Sequence, residues 1–232
     1  MGADEGSGSA PFLDRLRSLM ESRPRARAGE VCEMCSEAIP EAHQHLVSVE
    51  SRALVCVCRG CYLLFTSAGA AGGKYRIVPE RRIFLAGMAV SEAQWESLQI
   101  PVTIAFFFHN SSLGRTVAFY PGPAGATESL LPLDTWQELV QATPLLAGMA
   151  PDVEALLAYR RASGPECYLV PIDVCYELVG RIRRRWKGFQ GGEEAWREID
   201  GFFAELRGKS VEAPAATAAT AATAATAPGT PG

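Results

Sequence analysis

Apolar residues recur along this chain with two periods, and the changes of period mark out its elements. Phe12, Leu13, Leu16, Leu19 and Met20 fall at helical spacing with Asp14, Arg15, Arg17 and Glu21 between them. That pattern predicts a short amphipathic helix over 11–22, ended by Pro24. Leu46, Val47 and Val49 precede a polar Glu50-Ser51-Arg52 turn and Leu54-Val55 follow it, so 45–56 reads as a hairpin. Residues 67–73, rich in Gly and Ala, read as a flexible link, and 75–85 as extended with an interruption at Pro79. Ser91, with Gln94 three residues on, gives the capping-box pattern of a helix whose apolar side carries Trp95 and Leu98.

The continuous apolar runs 102–108 and 116–120, separated by turn-forming residues, predict a second hairpin, and the Gly/Pro-rich stretch 121–129 a loop. Asp134 is placed as the cap of a helix to Ala142, and Pro151 at the start of a helix running to Arg161. A short strand over 167–172 leads to a helix capped by Asp173 and reaching Trp186, with Val174, Leu178, Ile182 and Trp186 on its apolar side. The last helix, 193–207, carries Trp196, Ile199, Phe203 and Leu206 along one side. The Ala-Ala-Thr units from Ala213 hold no charge and no large apolar group, so burial cannot offset their ordering entropy and a disordered tail is expected.

Composition narrows the function classes. Hydrophobic residues make up 48% of the 232, enough for a real core. The formal net charge of −4 argues against a general nucleic-acid binder, which carries a basic excess. No apolar run is long enough for a membrane span. The acidic, Gly/Ser-rich start MGADEGSGSAPF lacks the basic head and apolar core of a secretory signal, so a cytoplasmic protein is expected.

That compartment changes the reading of the seven cysteines. Five of them fall between residues 32 and 61, four as Cys32-Glu-Met-Cys35 and, 22 residues later, Cys58-Arg-Gly-Cys61. Two-residue spacing lets both sulfurs of a knuckle face one ion, and two knuckles at the ends of a hairpin complete a tetrahedron. Thiolates suit Zn²⁺ or iron and disfavour Mg²⁺ or Ca²⁺. Zn²⁺ is the preferred ion, iron in a rubredoxin-like site the alternative. Cys56 is open to three readings: a ligand in place of Cys58, a neighbour of the site, or a packed thiol. His43 and His45 also lie between the knuckles, although four thiolates already close a site. Arg52 and Arg59 lie near enough in sequence to offset the −2 formal charge of a zinc tetrathiolate.

Four further features are candidates for chemistry. His109 opens a turn and would need Ser129 or Glu128 as a partner, but no Ser-His-Asp motif is present. The stretch 121–129 matches neither a Walker A loop nor a dinucleotide fingerprint. Arg181, Arg183, Arg184, Arg185 and Lys187 form the densest basic run, and it reads as a solvated face paired with acidic neighbours. Cys167 and Cys175 read as buried structural thiols.

The architecture expected is α+β: an N-terminal zinc-ribbon or rubredoxin-like metal module followed by a small antiparallel sheet packed with helices. Its divisions are a disordered start and short helix (1–29), the Cys₄ module (30–66), an α+β domain (74–208) and a disordered Ala/Thr/Pro tail (209–232).

The segments VCEMCSEAIPEAHQHLV, CVCRGCYLLF, FFFHNSSLGRTVAFYPGPAGATESLLPLDTW and YLVPIDVCYELVGRIRRRWKGF together resemble a bacterial family of unknown function encoded in gene clusters for uptake [NiFe] hydrogenases. The resemblance covers about residues 30–207 and transfers no catalytic residue. It implies a context of hydrogenase maturation, assembly or electron transfer, with a hydrogenase component as protein partner. The function expected is therefore that of a zinc-binding, non-enzymatic accessory protein, with a rubredoxin-like electron carrier as the alternative. In that accessory role Arg59 and Tyr62, on the second knuckle, are the candidate docking residues.

Overall fold

The computed structural model describes residues 31–213 except 68, 99, 130–132, 162 and 189–190, and the side chains of 133 and 134. The helix expected over 11–22 and the Ala/Thr tail from 214 lie outside these residues.

The hairpin forms as its pattern requires. Strand β1 (Gln44–Ser48) pairs antiparallel with β2 (Ala53–Val57), Ser48 opposite Ala53 and His45 opposite Cys56. A third strand, β3 (Tyr75–Ile77), joins the other edge of β1. A six-residue helix, α1 (Arg59–Leu64), follows β2 directly. Because side chains alternate across a strand, the small sheet has two different faces. Leu46 and Val57 pack locally with Cys32, Ile39 and Tyr62. Val47 and Leu54, on the other face, join the main core beside Phe106 and Phe108. The metal-module segment therefore shares its packing with the rest of the chain.

Pro79 does more than interrupt an extended segment, since it separates two sheets. Beyond it, β4 (Ile83–Leu85) enters a seven-stranded sheet with β5 (Ile104–Asn110), β6 (Arg115–Gly122), β7 (Gly125–Ser129), β8 (Glu154–Arg161), β9 (Gly164–Pro171) and β10 (Val211–Ala213). Their order is β10-β4-β9-β8-β5-β6-β7, antiparallel except for the β10–β4 pair.

Both faces of this sheet are covered. Phe106, Phe108, Val117, Leu157 and Tyr168 face α4 (Ile172–Arg185) and α5 (Gly192–Lys209). Ala105, Phe107, Ala118, Leu156 and Cys167 face α2 (Glu92–Ser97) and α3 (Leu133–Ala142). A two-sided burial explains why the central strands read as continuous apolar runs.

Several expectations need correction. The helix expected over 151–161 is strand β8, whose residues from Glu154 to Tyr159 are all buried. Its Ala, Leu and Glu content favours helix in isolation, but pairing with β5 and β9 and burial on both faces override that weak preference. The stretch 121–129 is the turn of a β6–β7 hairpin, Gly122 opposite Gly125, and not an open loop. The flexible link contains a 3₁₀ turn, Ala70–Gly73. Helix α3 begins at Leu133, so Asp134 stands inside its first turn; the side chain expected as its cap lies outside the described residues. Pro171 occupies the N-cap of α4, which places Asp173 in its first turn as well. Lys209 ends α5 and residues 211–213 form an edge strand, where a disordered tail was expected from 209.

The basic run on α4 meets the acidic side of α5. Arg181 bonds Glu205 of α5 at 3.0 Å and Glu177 of its own helix at 2.7 Å, and Lys187, just past the end of α4, bonds Glu194 of α5 at 2.9 Å. The chain turns between these helices at Gly191, where a φ of +85° and the Trp186 ring, 3.2 Å from an added Cβ, would strain any side chain.

Helix α2 starts with the capping box its sequence predicts: Gln94 N–H donates to Ser91 Oγ at 3.2 Å, and Ser91 N–H donates back to Gln94 Oε1 at 3.0 Å. The helix places Trp95 and Leu98 in the core. Ser91→Ala is expected to lower stability by about 1 kcal/mol. Urea unfolding checks this, and an unchanged midpoint would show that the cap is idle.

Candidate metal centre

The first knuckle turns on Ser36, held at φ +65°, with Cys32 N–H donating to Glu37 O at 2.6 Å and Ser36 N–H to Cys32 O at 2.7 Å. The second is built where β2 passes into α1. Cys58 is the N-cap of that helix, and Cys61 N–H donates to its sulfur at 3.4 Å. The hairpin returns the chain so that the two knuckles meet. The sulfurs of Cys32, Cys35, Cys58 and Cys61 all lie within 4.8 Å of one another, and Cys35 Sγ is 3.7 Å from Cys58 Sγ. A tetrahedral ion with Zn–S bonds of about 2.3 Å spaces its sulfurs about 3.8 Å apart, whereas a disulfide needs about 2.05 Å. The four residues therefore fit a metal ion.

The thiols differ in acidity. Burial pushes Cys32 up, but backbone donors at Cys58, Cys35 and Met34 outweigh it and hold the thiol down at about 6. Cys61 is pushed up to about 12 by contact with Cys35 first, then by burial and by the other two sulfurs. At Cys35 a backbone donor at Glu37 pulls down, yet crowding by Cys32 and Cys58 with desolvation leaves it raised. Four negative sulfurs in mutual contact repel one another, and a cation among them reverses the balance and takes all four as thiolates.

The remaining candidates are placed as follows. Cys56 Sγ lies with His43 and His45, one donor atom of each within 4.8 Å of the others, in a separate group. Its own backbone N–H donates to Glu33 Oε1 at 2.7 Å. His45 Nδ1 donates to Asp173 Oδ2 at 2.9 Å, a partner 128 residues away that no local pattern announces. Arg52 stands at the far end of β2, about 20 Å from Cys58 at strand rise, so it cannot offset charge at the four sulfurs. Arg59 is exposed and its guanidinium stands 5.5 Å from the Tyr62 ring centroid.

Tyr62 is buried, donating to Val78 O at 3.1 Å, so it packs the module and is not a docking residue. The exposed apolar side chains of α1 are Leu63 and Leu64. Ser129 Oγ donates to Leu98 O at 3.0 Å and Glu128 pairs with Arg115 at 2.9 Å, so neither of the two candidate partners is bonded to His109. Burial pushes the Cys167 thiol up to about 12 and Cys175 well above its ordinary value, so both are inert packing groups. A cavity of about 210 Å³ opens between the hairpin and the large sheet, walled by Val47, Leu54, Phe108 and Tyr176, with Arg52, Glu128 and Asp152 among its polar groups.

These features define a mixed helix-and-sheet protein with antiparallel sheets and a four-cysteine cluster able to hold a metal ion. Residues 31–210 match the family of unknown function DUF5947, and the chain belongs to that family. The family's description makes no connection with hydrogenase gene clusters. No curated protein and no solved structure matches the chain. Among the described residues, no helix is long and apolar enough to cross a membrane.

Proposed function

We propose that this chain is a non-enzymatic accessory protein whose Cys32, Cys35, Cys58 and Cys61 hold a structural Zn²⁺ in a ribbon-like module. The observation that carries the reading is the closed set of four sulfurs, all within 4.8 Å of one another. Four thiolates fill a tetrahedron and leave no position for a substrate, which suits a structural ion. The module would then serve as a rigid docking surface in the cytoplasm. Its contact residues are Arg59 and Leu64 on α1, the latter 72% exposed beside the second knuckle. The sequence resemblance supplies the partner, a component of [NiFe]-hydrogenase maturation or assembly.

The test combines Arg59→Ala with Leu64→Ala. Loss of two interface anchors should weaken binding to purified hydrogenase assembly components about tenfold or more and slow maturation, while the zinc content of the four-sulfur site stays unchanged. Iron in the same four thiolates is the second reading, favoured by one observation: Cys35 is exposed and gives a solvent-facing sulfur for electron exit. A red protein with iron in that site, and hydrogen uptake that fails at electron transfer despite normal maturation, would replace the accessory reading with that one.

A further inference from the structure

The face of the small sheet that carries Val47 and Leu54 also carries His45 and Cys56, which are directly opposed across β1 and β2. His43, two residues before His45, joins them, with the two imidazole centroids 4.8 Å apart. One nitrogen from each ring and the Cys56 sulfur lie within 4.8 Å of one another. Two histidines and a thiolate are a donor set for zinc and its neighbours in the transition series.

The hydrogen bonds fix which nitrogens are available. His43 Nδ1 is 2.9 Å from the Pro40 carbonyl, which only accepts, so that nitrogen carries the proton. His45 Nδ1 is 2.9 Å from Asp173 Oδ2, which as a carboxylate also accepts. With the proton on Nδ1, the nitrogen each imidazole can offer to a metal ion is Nε2. On His43 that Nε2 is buried and has no hydrogen-bond partner. A buried acceptor without a partner is costly and uncommon. A cation there supplies the partner. A carboxylate or backbone carbonyl on the second ring nitrogen is also how metal-ligating histidines are oriented.

We infer that His43, His45 and Cys56 form a second metal site, for Zn²⁺ or a closely related transition-metal dication, separate from the four-cysteine cluster. Three protein donors leave one tetrahedral position for water or an anion, so this ion, unlike that in the four-sulfur set, has an exchangeable ligand. His45 is 22% exposed, which gives solvent a path to it. Asp173 is the positioning residue, and through it the ion ties the hairpin to the first turn of α4. The strongest argument for mere packing is that Cys56 is partly buried, but packing gives no role to the orphaned lone pair of His43.

Co²⁺ titration of the full chain tests the inference, because sulfur-to-cobalt bands grow with the number of thiolates. The wild-type chain should take up two ions, one with tetrathiolate bands and one with a weak single-thiolate band. Cys56→Ser and His43→Gln should each abolish the second ion and keep the tetrathiolate bands, which show that the fold survives. Asp173→Asn should weaken the second ion about 10- to 100-fold and leave the first unchanged. If only the single-thiolate band forms and Cys56→Ser removes it, the second site stands and the four-cysteine reading falls. Saturation at one tetrathiolate ion would overturn the inference, as would uptake of two ions with unchanged affinity in both Cys56→Ser and His43→Gln.

Discussion

Cys61→Ser is expected to abolish metal binding at the four sulfurs and to unfold the segment that carries them. The local cluster around those sulfurs is small: among the described residues its buried members are Cys32, Ile39, Leu46, Val57 and Tyr62. A structural Zn²⁺ contributes on the order of 10 kcal/mol in small modules, about as much as these few buried side chains supply together at about 2 kcal/mol each, so the module does not withstand its loss. The effect extends further than the module. Val47 and Leu54 leave the main core when the hairpin melts, exposing Phe108 to solvent, so the melting temperature of the remaining chain should fall as well. Hydrogen exchange reads both parts: amides of residues 44–57 should lose protection, and those of β5 next to them should weaken. Wild-type protection of 44–57 in the variant would mean that the hairpin is held without the metal.

Phe203→Ala should destabilise the larger sheet by about 3–5 kcal/mol, the usual cost of emptying a buried aromatic site. Phe203 is fully buried on α5 and stacks on Tyr159 at 4.5 Å, with Phe202 at 5.6 Å and Tyr168 at 5.9 Å. Tyr159 and Tyr168 belong to β8 and β9, so the ring locks the last helix onto the centre of the sheet. For a chain of this size the loss corresponds to a melting shift of roughly 10 °C. A shift below about 2 °C would show that the neighbouring rings close the gap. The iron or zinc content of the four-sulfur site should not change, since none of these rings touches that cluster.

Features encoded over a few residues were legible in the sequence. The hairpin over 45–56, the Ser91–Gln94 capping box and the two knuckles each depend on spacings of two to a few residues, which a linear reading captures. What failed was structure decided at long range. Strand β8 sorts Ala155 and Leu157 to one face and Leu156 and Ala158 to the other, so its alternation is apolar on both sides and carries no polarity signal. Pro121 and Gly122 read as loop residues, yet β6 extends through them, since its pairing with β5 stops at Phe119 and leaves one edge of β6 unpaired at Pro121. The four metal-binding candidates could be named from the sequence, but the separation of Cys56 from them could not. It follows from the register that sets Cys56 opposite His45 and from the bond between His45 and Asp173. Tyr62, three residues from Arg59 on the same short helix, reads as a docking residue in the sequence, but its hydroxyl reaches Val78 O across the module, a contact no local spacing encodes.

The cavity between hairpin and large sheet makes two equilibria one. Its walls include Val47 and Leu54 from the hairpin and Phe108 and Tyr176 from the larger body, so it exists only while the hairpin is seated. Closure of the same hairpin brings the two knuckles together. To the extent that seating stabilises the closed hairpin, a molecule that fills the cavity would tighten retention of an ion at the four sulfurs, and that ion would tighten the molecule by the same factor, as reciprocal linkage requires. Occupancy of the one site is thus reported at the other through a hairpin of 14 residues, Gln44 to Val57, without a residue in common between them.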